Sequence, residues 1–206
     1  MEDVLEAVDV SHDSLTGLLG EAGEDAALVS GGMCVYRVLP ILCREAPSGL
    51  YASLTGLEKW QVDLLPQRLR EVLEELREGI DEERFDGVPE EIGELYSMAS
   101  EMVLRFFEGG SEVSEWADWC STISLDIHQQ LDALLDEGGE LASAVFVPAG
   151  TLPDLTPLEG LELGDQITTL VRLGSSDPAV RQSVLEIAEA GNLRTRTVLT
   201  QVAESL

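Results

Sequence analysis

Basic residues are scarce in this chain. Its 206 residues include 12 lysines and arginines, of which only Lys59 is a lysine, against 40 aspartates and glutamates, so the formal net charge is -28 at pH 7. A surface with this charge repels nucleic-acid phosphates and anionic lipid headgroups instead of releasing their counterions. We therefore expect neither nucleic-acid binding nor a role at a membrane surface.

Cysteine and aromatic residues are also few. Cys34, Cys43 and Cys120 form no CxxC pair, and their spacing predicts three reduced thiols in the core of the protein. Aromatic residues make up only 5% of the chain, but apolar residues make up 44%. Since a chain of this length can bury roughly 70% of the surface that its unfolded form exposes, the composition argues against disorder.

Signals for targeting, metals and cofactors are missing as well. Residues 1–9 are acidic and contain neither part of a signal peptide, which predicts a cytoplasmic protein. The most apolar window, residues 26–43, contains Arg37 and Pro40, so we do not expect a membrane span. The sequence contains no P-loop, Rossmann glycine pattern, zinc-ligand spacing or calcium-binding loop, and we predict neither a cofactor nor a metal.

Apolar residues recur every three to four positions along most of the chain, which predicts an all-α fold. Glycines and prolines divide this pattern into segments. We expect a bundle of about five helices over residues 1–139, a Pro/Gly-rich linker over 140–164 and a smaller C-terminal helical subdomain over 165–206. In that last part, Gly191 is predicted to end one helix before a final helix begins.

Arg37 lies inside the most apolar predicted helix, and Arg44 lies two turns further along nearly the same face. A buried arginine needs a counter-charge. Because carboxylates are abundant, the sequence favours a structural salt bridge to another helix, with recognition of an anionic ligand or partner as the alternative.

The arrangement that most resembles a catalytic site is Ser124, His128 and Asp132, spaced four and four along one predicted helix. The spacing brings the three side chains onto one line, as a serine hydrolase would need. No GxSxG turn accompanies the serine, however, and no oxyanion donors are evident. We therefore predict a histidine at the margin of the core that hydrogen-bonds to a neighbouring carboxylate, and keep a small helical hydrolase centred on His128 as an alternative.

The acidic belt, as we call the carboxylates of residues 71–94, is the most charged part of the chain. Only Arg77 and Arg84 lie among its eleven members, which are Glu71, Glu74, Glu75, Glu78, Asp81, Glu82, Glu83, Asp86, Glu90, Glu91 and Glu94. A surface of one sign accelerates association with a partner of the opposite sign. The belt is therefore a candidate binding site for a basic protein, although a solvated face in a salt-adapted protein would give the same pattern.

Two segments, residues 36–46 (YRVLPILCREA) and residues 97–109 (SMASEMVLRFFEG), precede the helix that carries Trp116 and Trp119. Over residues 30–136 this pattern resembles a broad set of small, uncharacterised all-helical bacterial proteins, which includes immunity proteins that neutralise toxins. The resemblance implies an all-α fold and protein neutralisation, and it carries no functional residue over to this chain.

Taken together, these observations predict a non-enzymatic, acidic protein-interaction module, with toxin immunity as the role that the resemblance implies. Its expected partner is a basic protein. The alternatives are the hydrolase centred on His128 and a salt-adapted protein whose acidity serves only solubility.

Overall fold

The computed structural model describes residues 9–43, 61–80, 89–108, 112–137 and 155–205. These residues form an all-α fold, as predicted, and contain no strand. Short 3-10 turns lie at Val62–Leu64 and Arg105–Phe107. The α-helices are α1 (His12–Glu21), α2 (Glu24–Leu42), α3 (Leu65–Gly79), α4 (Glu90–Leu104), α5 (Val113–Glu137), α6 (Pro157–Leu173), α7 (Pro178–Gln182) and α8 (Val184–Ser205).

Helix α2 lies at the centre of the bundle, because it is apolar on all sides. Every residue from position 27 to position 42 is buried, and α2 contacts α3, α4, α5, α6 and α8. Gly31 and Gly32 allow two of these close approaches. A Cβ atom on Gly31 would lie 2.6 Å from the Trp116 ring, and one on Gly32 would lie 2.7 Å from a Leu69 methyl group.

By length and composition, α2 is also the one helix in the described ranges that is able to cross a membrane. Its buried residues pack against the other helices of the bundle, which is the situation of a core helix in a soluble protein. The structure is therefore compatible with a soluble protein.

The helices that surround α2 each bury one apolar stripe. On α3 the buried residues recur at spacings of three and four, and the opposite face carries its charged residues. On α5, Trp116, Ile127 and Leu131 are buried, whereas Trp119 is half-buried against the core. The predicted stripes of these helices therefore face the core.

The C-terminal part differs from the sequence expectation in two respects. Residues 157–164, expected in the linker, form the first half of α6, which a capping box between Thr156 and Glu159 and a proline at its first position initiate. Gly191 does not end a helix, because α8 continues through it to Ser205. Both helices pack on α2 and α5, so this part shares one core with the preceding helices.

Candidate functional site

A fully buried ion pair between Arg37 and Glu162 joins the central helix α2 to α6. The Arg37 Nε and Nη2 atoms each donate a hydrogen bond of 2.8 Å, to Glu162 Oε2 and Oε1 respectively. Both side chains have no solvent-exposed surface. The predicted salt bridge of Arg37 to another helix is thus confirmed, while Arg44 lies outside the described residues.

Glu162 also accepts hydrogen bonds from a residue of α5 and from a second residue of its own helix α6. Its Oε1 atom accepts from Ser124 Oγ at 2.7 Å and from Gln166 Nε2 at 2.9 Å. Ser121 Oγ donates to Gln166 Oε1 at 2.5 Å. We call these residues, together with His128, the Arg37–Glu162 cluster; its members are Arg37, Ser121, Ser124, His128, Glu162 and Gln166.

The charges of the pair stabilise each other inside the core. Burial by itself would lower the pKa of Arg37 and raise the pKa of Glu162, because each charged form loses its hydration. The attraction between the two charges outweighs this effect, so the pKa of Arg37 is raised and the pKa of Glu162 is lowered to about 2. The pair therefore carries no net charge and stays ionised at neutral pH.

His128 is completely buried beside this pair. Its Nδ1 atom lies 2.7 Å from the backbone oxygen of Ser124, and its Nε2 atom lies 3.8 Å from Glu162 Oε2 and 3.5 Å from Thr195 Oγ1. Burial lowers the pKa of His128 despite the attraction of Glu162, which favours the neutral ring at pH 7.

The position of His128 therefore corrects the expectation of a histidine at the core margin. Helices α6 and α8 contribute Glu162 and Thr195 to its surroundings, and their packing encloses the ring. The expected carboxylate is present, but at 3.8 Å it is a neighbouring charge and not a hydrogen-bond partner.

Ser124, His128 and Asp132 do not form a catalytic triad. The Ser124 hydroxyl donates to Glu162, and His128 contacts the backbone oxygen of Ser124 instead of its hydroxyl. Asp132 Oδ2 accepts a hydrogen bond of 2.7 Å from the backbone N–H of Leu158, at the start of α6. Ser124 and Asp132 thus connect α5 to α6, and His128 contacts the backbone of its own helix. Because the histidine does not contact the serine hydroxyl, this geometry activates no nucleophile.

Further contacts attach α8 to the same region. Asn192 Nδ2 donates to the backbone oxygen of Tyr36 at 2.7 Å, and Arg194 pairs with Asp165 of α6 at 2.6 Å. Gly191 lies directly against the Arg37 side chain, where a Cβ atom would overlap Arg37 Cδ. The missing side chain of Gly191 therefore gives Arg37 the space to reach Glu162.

Sequence reasoning did not identify Glu162, Gln166 or Gly191 as members of a site. One signal was available, since Glu162 and Gln166 follow Leu158 at helical spacing and precede Leu170 on the same line. Polar residues inside an apolar stripe indicate buried hydrogen bonds. For Gly191 the sequence contains no comparable signal, because its neighbour Arg37 is remote in the chain.

The described part of the acidic belt is exposed on two neighbouring helices. Helix α3 carries Glu71, Glu74, Glu75 and Glu78, and α4 carries Glu90, Glu91 and Glu94. The Glu71 and Glu75 side chains are 48% and 42% exposed. Asp81, Glu82, Glu83 and Asp86 lie outside the described residues. The two ends of the predicted belt thus lie on helices that contact each other.

The arginines of α3 neutralise only part of the belt. Arg68 pairs with Glu71 at 2.8 Å and lies 4.0 Å from Glu75. Arg70 pairs with Glu24 of α2 at 3.6 Å, and the Arg77 guanidinium lies over the Phe107 ring, 4.7 Å from its centroid. Within the described ranges, no cation forms a salt bridge with Glu74, Glu78, Glu90, Glu91 or Glu94.

Comparison of the chain with protein-family models, curated proteins and solved structures gives no match. The resemblance to immunity proteins therefore stays a prediction. Among the described residues, no group of three histidine, cysteine, aspartate or glutamate side chains is arranged to hold a metal ion.

Proposed function

We propose that the protein is a non-enzymatic interaction module of the cytoplasm that binds a basic protein through its acidic belt. The observation that carries this proposal is the exposed set of carboxylates on α3 and α4 that lack a cation of their own among the described residues. The side chains of the Arg37–Glu162 cluster, in contrast, are buried, and Arg37, Ser124 and Gln166 all donate hydrogen bonds to Glu162, which favours a structural role for the cluster.

The charge of the belt suits rapid recognition of a cationic surface. A surface that carries only negative charges raises the rate of association with a basic partner by roughly 10- to 1000-fold at low salt. Salt screens such exposed charges beyond about 10 Å at 0.1 M ionic strength. Binding through the belt should therefore weaken steeply as salt is added.

The belt is also held on well-anchored helices. Leu69 and Leu73 of α3 and Leu95 and Ala99 of α4 are buried in the core, whereas the carboxylates of both helices face solvent. A partner would therefore meet charges on helices whose positions are set before binding, which lowers the entropy that binding costs.

Neutralisation of a basic bacterial toxin is the specific form of this role that we propose. The resemblance noted above motivates it, and the negative charge of the belt complements a cationic toxin. The acidic protein could cover a basic site on such a toxin without catalysing a reaction.

The proposal is tested by recovering a partner from an extract of the source cells at low and at high salt. The identified partner is then measured against the purified protein with the substitutions Glu74→Gln, Glu78→Gln and Glu91→Gln combined. We expect the dissociation constant to rise about tenfold, because three exposed charge pairs contribute roughly 0.5 kcal/mol each.

A matched control removes three exposed carboxylates of α8 through Glu186→Gln, Glu189→Gln and Glu204→Gln. It should leave the affinity nearly unchanged. Equal effects of the two triple variants would show that net charge alone matters, and the absence of any salt-sensitive partner would favour acidity that serves only solubility.

A further inference from the structure

The Arg37–Glu162 cluster connects the C-terminal helices α6 and α8 to α2 and α5. Glu162 and Gln166 come from α6, Arg37 from α2, and Ser124 and His128 from α5. Thr195 of α8 lies against the His128 ring. Any change of charge in the cluster therefore acts where these four helices meet.

The hydrogen bonds of His128 determine where a further proton would enter. Because the backbone oxygen of Ser124 only accepts, His128 Nδ1 must carry the hydrogen of the neutral ring. The Nε2 atom then presents a lone pair toward Glu162 Oε2, at 3.8 Å. Protonation of Nε2 would place a second cation in a buried cluster whose charges, Arg37 and Glu162, otherwise balance one to one.

We propose that the Arg37–Glu162 cluster is an acid-sensitive latch, in which protonation of His128 weakens the packing of α6 and α8 against α2 and α5. The latch opens locally, so α3 and α4 stay folded when it does. This role is independent of the acidic belt and of any partner that the belt binds.

Charged groups from each helix packed at His128 set its response to pH. Burial opposes the protonated ring most strongly; Glu162 of α6 favours it, and Arg194 of α8 and Arg37 of α2 oppose it. Asp132, on the same helix as His128, also attracts the imidazolium. Since the pKa of His128 is lowered in the closed state, the open state binds more protons below about pH 6.5. The latch is therefore closed above that pH and is progressively lost as the pH falls below it.

Amide hydrogen exchange of the whole chain, followed helix by helix at pH 7.5, 6.5 and 5.5, tests the latch. We expect the opening constant of α6 and α8, corrected for intrinsic exchange, to rise by up to about tenfold per pH unit below 6.5. His128→Asn should abolish this rise, because its Nδ2 atom can still donate to Ser124 while the side chain cannot take up a proton.

The second histidine provides a matched control. His12 is exposed at the first position of α1, so His12→Asn should retain the pH response of the unmodified protein. An unchanged response in His128→Asn, or an equal rise in α3 and α4, would overturn the proposal.

A direct NMR titration of the His128 ring keeps the test valid if His128→Asn does not fold. The latch requires the ring to titrate below pH 6.5, over the same range in which α6 and α8 open. Titration of His128 at or above pH 6.5 would overturn it.

Discussion

Replacing Gly191 by alanine should destabilise the protein, although alanine is the better helix former. Gly191 lies in the interior of α8, where the change would ordinarily stabilise a helix by about 0.5–1 kcal/mol. Here, however, the new Cβ atom would overlap Arg37 Cδ and lie 2.7 Å from Arg37 Cγ. Cγ and Cδ lie in the middle of the Arg37 side chain, and its guanidinium group is hydrogen-bonded to Glu162.

The size of the effect follows from what Arg37 must give up. Overpacking a well-filled core costs about 1–3 kcal/mol, and complete loss of one partner of a buried ion pair costs about 3–5 kcal/mol. If Arg37 is displaced but stays paired with Glu162, the cost in free energy should fall within the lower of these two ranges. After subtracting the gain in helix propensity, we expect the free energy of unfolding to fall by about 0.5–2 kcal/mol.

Urea unfolding at pH 7.5 measures this change, with Gly164→Ala as the matched control. Gly164 is also inside a helix, but a Cβ atom there would meet nothing within 4 Å. The control should gain about 0.5–1 kcal/mol. If Gly191→Ala were as stable as the unmodified protein, the Arg37 side chain would not lie against Gly191 as described, and the reasoning would be wrong.

Two further predictions concern the buried titratable groups. Glu162→Gln should lower the free energy of unfolding at pH 7 by about 3 kcal/mol, because Arg37 loses its buried counter-charge. The pKa of Glu162 is lowered from 4.5 to about 2, so its contribution is present above pH 4.5 and is lost as the pH falls towards 2. A difference between the two proteins that stayed constant over this range, in urea unfolding at each pH, would contradict the assignment. Burial raises the pKa of Cys34 to about 12 and the pKa of Cys120 well above its ordinary value, so in the folded protein at pH 8 a thiol reagent should modify only Cys43, which is half-buried. Mass spectrometry should find all three thiols modified after unfolding, and rapid labelling of Cys34 in the folded protein would argue against its burial.

The helical elements were predictable because their signal is local. Apolar residues three and four apart place one stripe on one face of a helix, and this holds whatever the helix later packs against. The same logic indicated that Arg37 would be buried and would need a carboxylate. It could not say which carboxylate, because Glu162 lies 125 residues further along the chain.

The candidate site was less predictable, for a related reason. The line of Ser124, His128 and Asp132 was visible in the sequence, but the direction of each side-chain hydrogen bond depends on what α6 and α8 bring to it. With Glu162 placed in the predicted linker, a position for His128 at the margin of the core was the consistent expectation. His128 is buried because α6 packs against α5 at this position.

By itself, the amino-acid order determined that the described segments are helical, that α2 is the most apolar of these helices, and that much negative charge remains on the outside. These properties depend on spacings within single helices and on the total count of charged groups. Tertiary structure alone decided that Arg37, His128 and Glu162 meet, since contacts between distant residues arise only when whole helices pack. The space for that meeting comes from Gly191, whose small size matters only because another helix lies against it.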